Sequence, residues 1–445
     1  MNSSIAPTQD VHPVTRWLQS KGTGVFSAYT VFAAFSAYFC MYAFRKPFAV
    51  GTFEGQVNFA DWLVVDYKIA LIIFQVFGYT LSKFTGIKVI SELKANQRAM
   101  GLVIMIATAE IALVLFGIVP KPWNLIFLFL NGVPLGMVWG LVFSYLEGRR
   151  LTELLGAGLS ASYIVASGYV KAVGRWLLNE GVSEFWMPCL TGLIFFVPFM
   201  ICVWLLDKLP PPTPEDEALR TKRVPMDHQE RSRFVKLYFP GLFALVGLYI
   251  FLTAYRDFRD NFAREIWDAL GFSETPAIFA ESETWVGLAV MLSLGLLFTI
   301  KDNRKALIAV HAVMFVGVAS VGITTLLFRM GLMDAKVWMI VIGIGLYLAY
   351  VPYGCILFDR LIAVLGFSGN AGFMIYVADS FGYLGSVGIM LYKNFGEPEL
   401  SWLDFFIPFS YFAAIVCSVS FVFSSLYFLK LAPPEKFQAA SQGAS

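Results

Sequence analysis

Arg45, Arg256, Lys83 and Lys171 stand inside stretches that are otherwise apolar. A charge at membrane depth is costly unless it faces protein or water, so each is a candidate for function. Arg45 follows Tyr42 and Tyr38 at i−3 and i−7, which places all three on one face of a helix. Arg256 repeats the arrangement with Thr253 and Tyr249, and Asp260 extends that face at i+4. A guanidinium presents a planar fork of donors, so two arginines at matching positions form a clamp for one anion. The competing reading is that both snorkel to the outer interface, because each stands near the end of its apolar run. Lys83, in Tyr79–Gly86, either adds positive charge to the same cavity or reaches the near surface. Tyr163, Ser167, Lys171 and Arg175 follow one another at i+4 steps. That polar stripe is expected to face a pore, with Lys171 inside it and Arg175 anchoring the outer end.

The carboxylates divide by neighbourhood. Asp379 has Tyr376 and Tyr383 at i−3 and i+4, and is expected to pair with a cavity cation or to carry a coupling proton. Asp257 and Asp260 are close enough in sequence to neutralise Arg256 or Arg259. Glu110 is either a proton carrier or the partner of a cation on a neighbouring helix. His311 is read as a packing residue. Cys40, Cys189, Cys202, Cys355 and Cys417 fall in apolar runs without ligand-like spacing, so no metal site is expected. HExxH, GxSxG and P-loop patterns are absent from the sequence, which argues against an enzyme and calls for no cofactor.

The elements that must carry these residues are membrane helices. Of 445 residues, 58% are hydrophobic and 14% charged, against about 25% charged in a soluble domain. Apolar runs of roughly 18 to 25 residues recur along the chain, enough to cross about 30 Å of hydrocarbon as helices. Spans are expected near 25–48, 67–91, 98–119, 124–146, 155–177, 187–207, 238–262, 285–300, 306–328, 337–358, 370–392 and 402–429. Pro352, with Tyr347, Tyr350 and Tyr353, predicts a kink in the tenth. Gly132, Gly136 and Gly140 in the fourth permit close helix contact. The net charge of +2 and the lack of a basic, aromatic-interleaved tract exclude nucleic acid as a partner. The bilayer and a small anionic solute are the expected partners, and the chain is expected to be a monomer.

The longest hydrophilic stretch, with Pro210-Pro211-Pro212 and a basic cluster, divides the chain into an N-terminal six-helix half (1–208), a linker (209–236) and a C-terminal six-helix half (237–445). Lysine and arginine concentrate in the linker and in the connections on its side. This predicts a multi-pass protein of the cell (inner) membrane with both termini cytoplasmic. The halves align: Phe32–Phe48 lies over Phe243–Arg259 without gaps, pairing Tyr38 with Tyr249 and Arg45 with Arg256 at an offset of 211. Lys94–Met100 matches Lys301–Leu307, Arg149–Gly156 matches Asp359–Gly366, and Ser167–Gly174 matches Phe381–Gly388, all in the same order. Parallel six-helix repeats describe the major facilitator architecture, an all-α membrane fold of about twelve helices with its site between the halves.

Several phrases resemble a known family. Tyr42-Ala43-Phe44-Arg45-Lys46-Pro47-Phe48 is similar to the first-span phrase of the organophosphate:phosphate antiporters, the glycerol-3-phosphate and hexose-phosphate transporters of the major facilitator superfamily. Tyr79, Ser82-Lys83-Phe84 and Gly86 resemble that family's second span, and Gly136-Met137-Val138-Trp139 its fourth. The chain also resembles an uncharacterised bacterial membrane family with the same arginine–lysine–proline–phenylalanine opening. The antiporter family's fifth-span histidine has no counterpart here. The resemblance implies alternating-access transport of an organophosphate or carboxylate, with Arg45 and Arg256 on the anion and Lys83 beside them. A non-transporting sensor or scaffold, and an intramembrane enzyme on lipid-linked substrate, stay open as alternatives.

Overall fold

The computed structural model describes residues 12–146, 152–212, 228–366 and 371–431. Among them twelve long helices follow in chain order: α1 (Thr23–Met41), α2 (Tyr67–Glu92), α3 (Arg98–Ile118), α4 (Leu125–Phe143), α5 (Thr152–Asn179), α6 (Met187–Asp207), α7 (His228–Asn261), α8 (Ala277–Phe298), α9 (Asn303–Arg329), α10 (Ala335–Cys355), α11 (Ala371–Phe395) and α12 (Trp402–Leu431). Nine of these are long and apolar enough to cross a membrane. The other three are α2, apolar over Tyr67–Ser82, α5 and α11. In lipid every backbone group must be satisfied within its own segment, and helices are what achieve it.

α1 to α6 form one bundle and α7 to α12 the other. α2 and α3 pack on α4, and α1 packs on α5 and α6; in the second half α7 packs on α11 and α12, and α9 on α10 and α12. The halves meet where α5 lies against α8 and α2 against α11, contacts that the twofold pseudosymmetry exchanges. Close backbone approach between α2 and α4 rests on glycine. A Cβ on Gly132 would stand 2.3 Å from the Gln75 carbonyl oxygen, and one on Gly136 only 1.7 Å from the Ser82 hydroxyl. Gly132 and Gly136 of the small-residue repeat read in the sequence make this contact.

Three local departures from the hydropathy reading have physical causes. The first span does not continue as α-helix through Arg45. It ends at Met41 and passes into 3₁₀ turns at Tyr42–Phe44 and Pro47–Val50. Pro47 lacks the N–H that would carry a helix onward past this turn, and Tyr38 is helical while Tyr42 and Arg45 lie on the tightened turn. α7 begins at His228, inside the stretch 209–236 read as linker, because a helix can extend as polar turns beyond its apolar part. α8 likewise starts at Ala277 rather than near 285, its first turns carrying Glu281, Ser282 and Glu283.

Hydropathy did not foresee a β-hairpin between α1 and α2. β1 (Gln56–Ala60) and β2 (Leu63–Asp66) pair antiparallel, with Gln56 opposite Asp66 and Val57 opposite Val65. Asp66 then caps α2 by accepting a hydrogen bond from the Ile69 backbone N–H at 3.2 Å. In α10 the helix ends three residues beyond Pro352, and the chain breaks at Ile356 before a short helix, Leu357–Leu365.

Candidate functional site

A cavity of about 180 Å³ lies between the halves. Its walls come from α1 and the turn after it (Tyr38, Tyr42, Arg45, Lys46), from α2, α4 and α5 (Tyr79, Trp139, Tyr163, Ser167), and from α7, α10 and α11 (Tyr249, Arg256, Asp257, Asp260, Tyr347, Tyr350, Asp379, Tyr383). The lining reaches toward the linker end at Gly354, which is exposed.

The two arginines have different surroundings. The Arg45 guanidinium lies 3.9 Å from the centroid of the Tyr79 ring, and among the described residues no carboxylate is within ion-pair distance of it. Its Nε is buried with no hydrogen-bond partner. The turn carrying it is held by a neutral network. Gln75 Nε2 donates to the Arg45 carbonyl at 3.1 Å and to Asn131 Oδ1 at 2.9 Å, while Asn131 Nδ2 donates to the Phe44 carbonyl at 3.0 Å. Arg256 lies 4.4 Å from the Tyr350 centroid and donates to the Tyr350 hydroxyl. It also donates through Nε and Nη2 to Asp257 Oδ1 at 2.9 and 2.6 Å, and Ser386 holds the other Asp257 oxygen at 2.6 Å. Tyr249 joins this half by donating to Asp379 at 2.6 Å, with the Tyr350 hydroxyl at 2.8 Å. Each half therefore sets an arginine on a tyrosine, and among the described residues only the second neutralises it.

At the end away from the linker, Asp260 closes the cavity. Its Oδ2 receives the Lys46 ammonium at 2.5 Å, and its Oδ1 receives Lys171 and the Ser167 hydroxyl, the latter at 2.5 Å. Lys46 also donates to Asn261 at 3.1 Å. Further cross-half bonds gather at the same end. Lys68 pairs with Glu265, Arg264 donates to the Val50 carbonyl at 2.6 Å, and Arg175 donates to Asp268 at 3.3 Å and to the Ser273 carbonyl at 2.8 Å. Asn394 of α11 holds the hairpin, accepting from the Asp66 N–H at 2.8 Å and donating to the Val64 carbonyl at 3.1 Å. Around the cavity, the described cations Arg45, Lys46, Lys171 and Arg256 face the carboxylates Asp257, Asp260 and Asp379, so one positive charge is in excess.

The structure brings Tyr38, Tyr42, Arg45, Tyr249, Arg256, Asp260 and Asp379 into one cavity wall, with Lys171 at its closed end. Lys83 belongs to α2, and its side chain lies outside the described residues, as does that of Tyr376. Glu110 is elsewhere, inside the first bundle, where Cys189 Sγ donates to its Oε1 at 3.2 Å and its Oε2 has no partner. Asp260 does not neutralise Arg256 or Arg259. It turns to the lysines of the other half, while Arg259 pairs with Glu283 of α8 at 2.8 Å. His311 packs as expected, with Nδ1 2.9 Å from the Leu307 carbonyl and Nε2 3.3 Å from the Ser424 hydroxyl. Sequence reasoning passed over Lys46 and Tyr79 as cavity residues and Glu283 as the partner of Arg259. The internal repeat held a signal for one of them: at the Arg45–Arg256 offset, Lys46 falls on Asp257, a cation on an acid.

Residues 47–431 match the family model of DUF5690, a family of unknown function. The chain belongs to the DUF5690 family. No curated protein matches it. Solved structures show the fold of this DUF5690 protein. A D-xylose–proton symporter is 13% identical, with a TM-score of 0.57, 92% of this chain and 97% of that one being covered. A bacterial homologue of the human drug peptide transporters PepT1 and PepT2 is 11% identical with a TM-score of 0.60, covering 91% and 98%. A bacterial homologue of the human lysosomal transporter Spinster, in an inward-facing and unoccupied conformation, is 13% identical with a TM-score of 0.60, covering 93% and 100%. The DUF5690 chain thus has the major facilitator fold, two pseudosymmetric six-helix halves around a central cavity.

Proposed function

We propose that this DUF5690 protein is a secondary active transporter that moves a small organic anion, an organophosphate or a carboxylate, by alternating access. The observation that carries this reading is Arg45: a guanidinium buried against Tyr79, with no described acid beside it, at the wall of a cavity between the halves. A buried cation without a counter-charge is expensive, and a bound anion is the species that offsets the cost. Arg45 and Arg256 are the primary ligands, and Tyr38, Tyr42 and Tyr249 line the path. Lys83 and Lys171 adjust the field. Asp379, held by Tyr249, and Asp260 are the charge-pairing acids.

Rocking of the halves must break the Asp260 cluster at one end and form contacts at the other. The chain acts as a monomer in the cell membrane, with the basic linker and both termini on the cytoplasmic side, and performs no covalent chemistry. The deciding experiment screens phosphorylated and carboxylated metabolites by thermal shift on purified protein. Those that stabilise it are then followed for uptake or exchange in sealed vesicles. Uptake that depends on Arg45 supports the proposal. Stabilisation without flux across the membrane supports a sensor instead.

A further inference from the structure

A second, larger hollow stands on the outer side of the C-terminal half, away from the central cavity. It measures about 530 Å³ and is bounded by α7 (Ile250, Ala254), α11 (Gly388, Ile389) and α12 (Pro408, Phe412). Along α11 it runs from Gly385 to Tyr392, seven residues or about 10 Å of rise, and it continues past the helix end to Glu397 and Leu400. That rise fits within one leaflet of a hydrocarbon core about 30 Å thick. The walls are apolar until the end away from the linker, where the exposed Tyr392 and then Glu397 enter.

Glu397 is the single charged residue in the lining, and among the described residues its carboxylate has no hydrogen-bond or ion-pair partner. The nearest lysine in sequence acts on Glu397 through its field without an ion pair to it. Lys393 is 5% exposed, donates to the Glu397 and Pro398 backbone carbonyls at 2.8 and 3.3 Å, and lies 5.1 Å from the Trp402 centroid. Glu399 and Asp404 add acidity to the same stretch of chain. The groove therefore offers an apolar trench within one leaflet, a carboxylate without a hydrogen-bond or ion-pair partner among the described residues at the headgroup level, and tyrosine and tryptophan at the interface.

We propose that this groove binds one phospholipid of the adjoining leaflet whose zwitterionic headgroup carries a primary amine, with an acyl chain along α11 and the ammonium on Glu397. An anionic headgroup is disfavoured by the same carboxylate, because the cation that could attract it is committed to backbone carbonyls. Ile250 and Ala254 stand on the α7 helix that also bears Arg256, Asp257 and Asp260, so the lipid packs against the back of the helix that moves in alternating access.

The test is native mass spectrometry of the full-length protein. It is purified in mild detergent and exchanged against mixed micelles containing phosphatidylethanolamine and phosphatidylglycerol in equal amounts. Wild type is expected to retain one phosphatidylethanolamine and to prefer it several-fold. A Cβ on Gly388 meets no atom within 4 Å, so the side chain of Gly388→Phe starts in open space at a residue that lines the groove, and it is expected to expel the lipid while the size-exclusion profile stays unchanged. Glu397→Gln, at the groove mouth, is expected to keep a lipid and lose the headgroup preference, and it carries the test if Gly388→Phe does not fold. Equal retention of phosphatidylglycerol by wild type, a free fatty acid in place of phospholipid, undiminished retention in folded Gly388→Phe, or an unchanged preference in Glu397→Gln overturns the proposal.

Discussion

Arg45 rests on Tyr79 at 3.9 Å from ring centroid to guanidinium carbon, and its partner by pseudosymmetry, Arg256, rests on Tyr350 at 4.4 Å. The stack orients each planar group and leaves its edge free to donate. In the C-terminal half Asp257 takes up that edge; in the N-terminal half no described acid does. The asymmetry makes Arg45 the group most in need of an anion. Arg45→Gln is expected to abolish ligand-induced thermal stabilisation. Two charge-assisted hydrogen bonds at about 1.5 to 3 kcal/mol each correspond to a loss of about 100-fold or more in affinity. The apo protein, freed of an uncompensated buried charge, is expected to melt no lower than wild type. Arg45→Lys is expected not to rescue, because an ammonium neither stacks nor forks. Ligand binding that survives Arg45→Gln would sink the site assignment.

Asp260 is the hinge pin of the closed end. Asp260→Asn leaves Lys46 and Lys171 buried together without a counter-charge, a change that costs about 3 to 5 kcal/mol where a buried pair is broken. The halves can relieve it by parting at that end. The expected outcome is a lower melting temperature together with increased labelling of a cysteine introduced at Val50, whose carbonyl binds Arg264 across the halves. Adding Lys171→Met removes one of the stranded charges and is expected to recover part of the stability. Equal melting of Asp260→Asn and wild type would show that the cluster does not hold the end shut.

The twelve helices were legible because each needs about twenty apolar residues and nothing else in a soluble chain demands them. Arg45, Arg256 and the three tyrosines were legible because the repeat set them at matched positions. Lys46 was hidden beside Arg45, where a second cation near a helix end reads as an interface anchor. Glu283 was hidden because the polar first turns of α8 look like loop, and its choice of Arg259 is made between helices. Which acid takes which base is a property of the assembled halves. Local spacing favoured Asp260 for Arg256 at i+4, and the cross-half lysines won because they are buried beside it.

Gly136 tests the α2–α4 contact. A methyl group there would stand 1.7 Å from the Ser82 hydroxyl and 2.8 Å from the Tyr79 carbonyl, and the carbonyl is backbone that cannot rotate away. Gly136→Ala is expected to force the helices apart at an overpacking cost of about 1 to 3 kcal/mol, visible as a reduced monodisperse peak and an earlier melt. Because Tyr79 carries Arg45 on its ring, ligand-induced stabilisation should fall as well. Gly295→Ala, where the added carbon meets nothing within 4 Å, is the control and is expected to behave as wild type.

Asn394 ties the hairpin of one half to α11 of the other through two hydrogen bonds with backbone groups of Asp66 and Val64. Asn394→Ala removes both, at about 1 kcal/mol each, and takes from strand β2 these hydrogen bonds to α11. Hydrogen exchange is the measurement that isolates the effect. Amides of residues 56–66 are expected to exchange faster, while those of the α9–α10 pair, which does not touch the hairpin, keep their protection. If the strap helps hold the far end closed, a cysteine at Val50 should also gain reactivity in Asn394→Ala, though less than in Asp260→Asn. Faster exchange in the hairpin without any change at Val50 would confine Asn394 to local structure and leave closure to the Asp260 cluster.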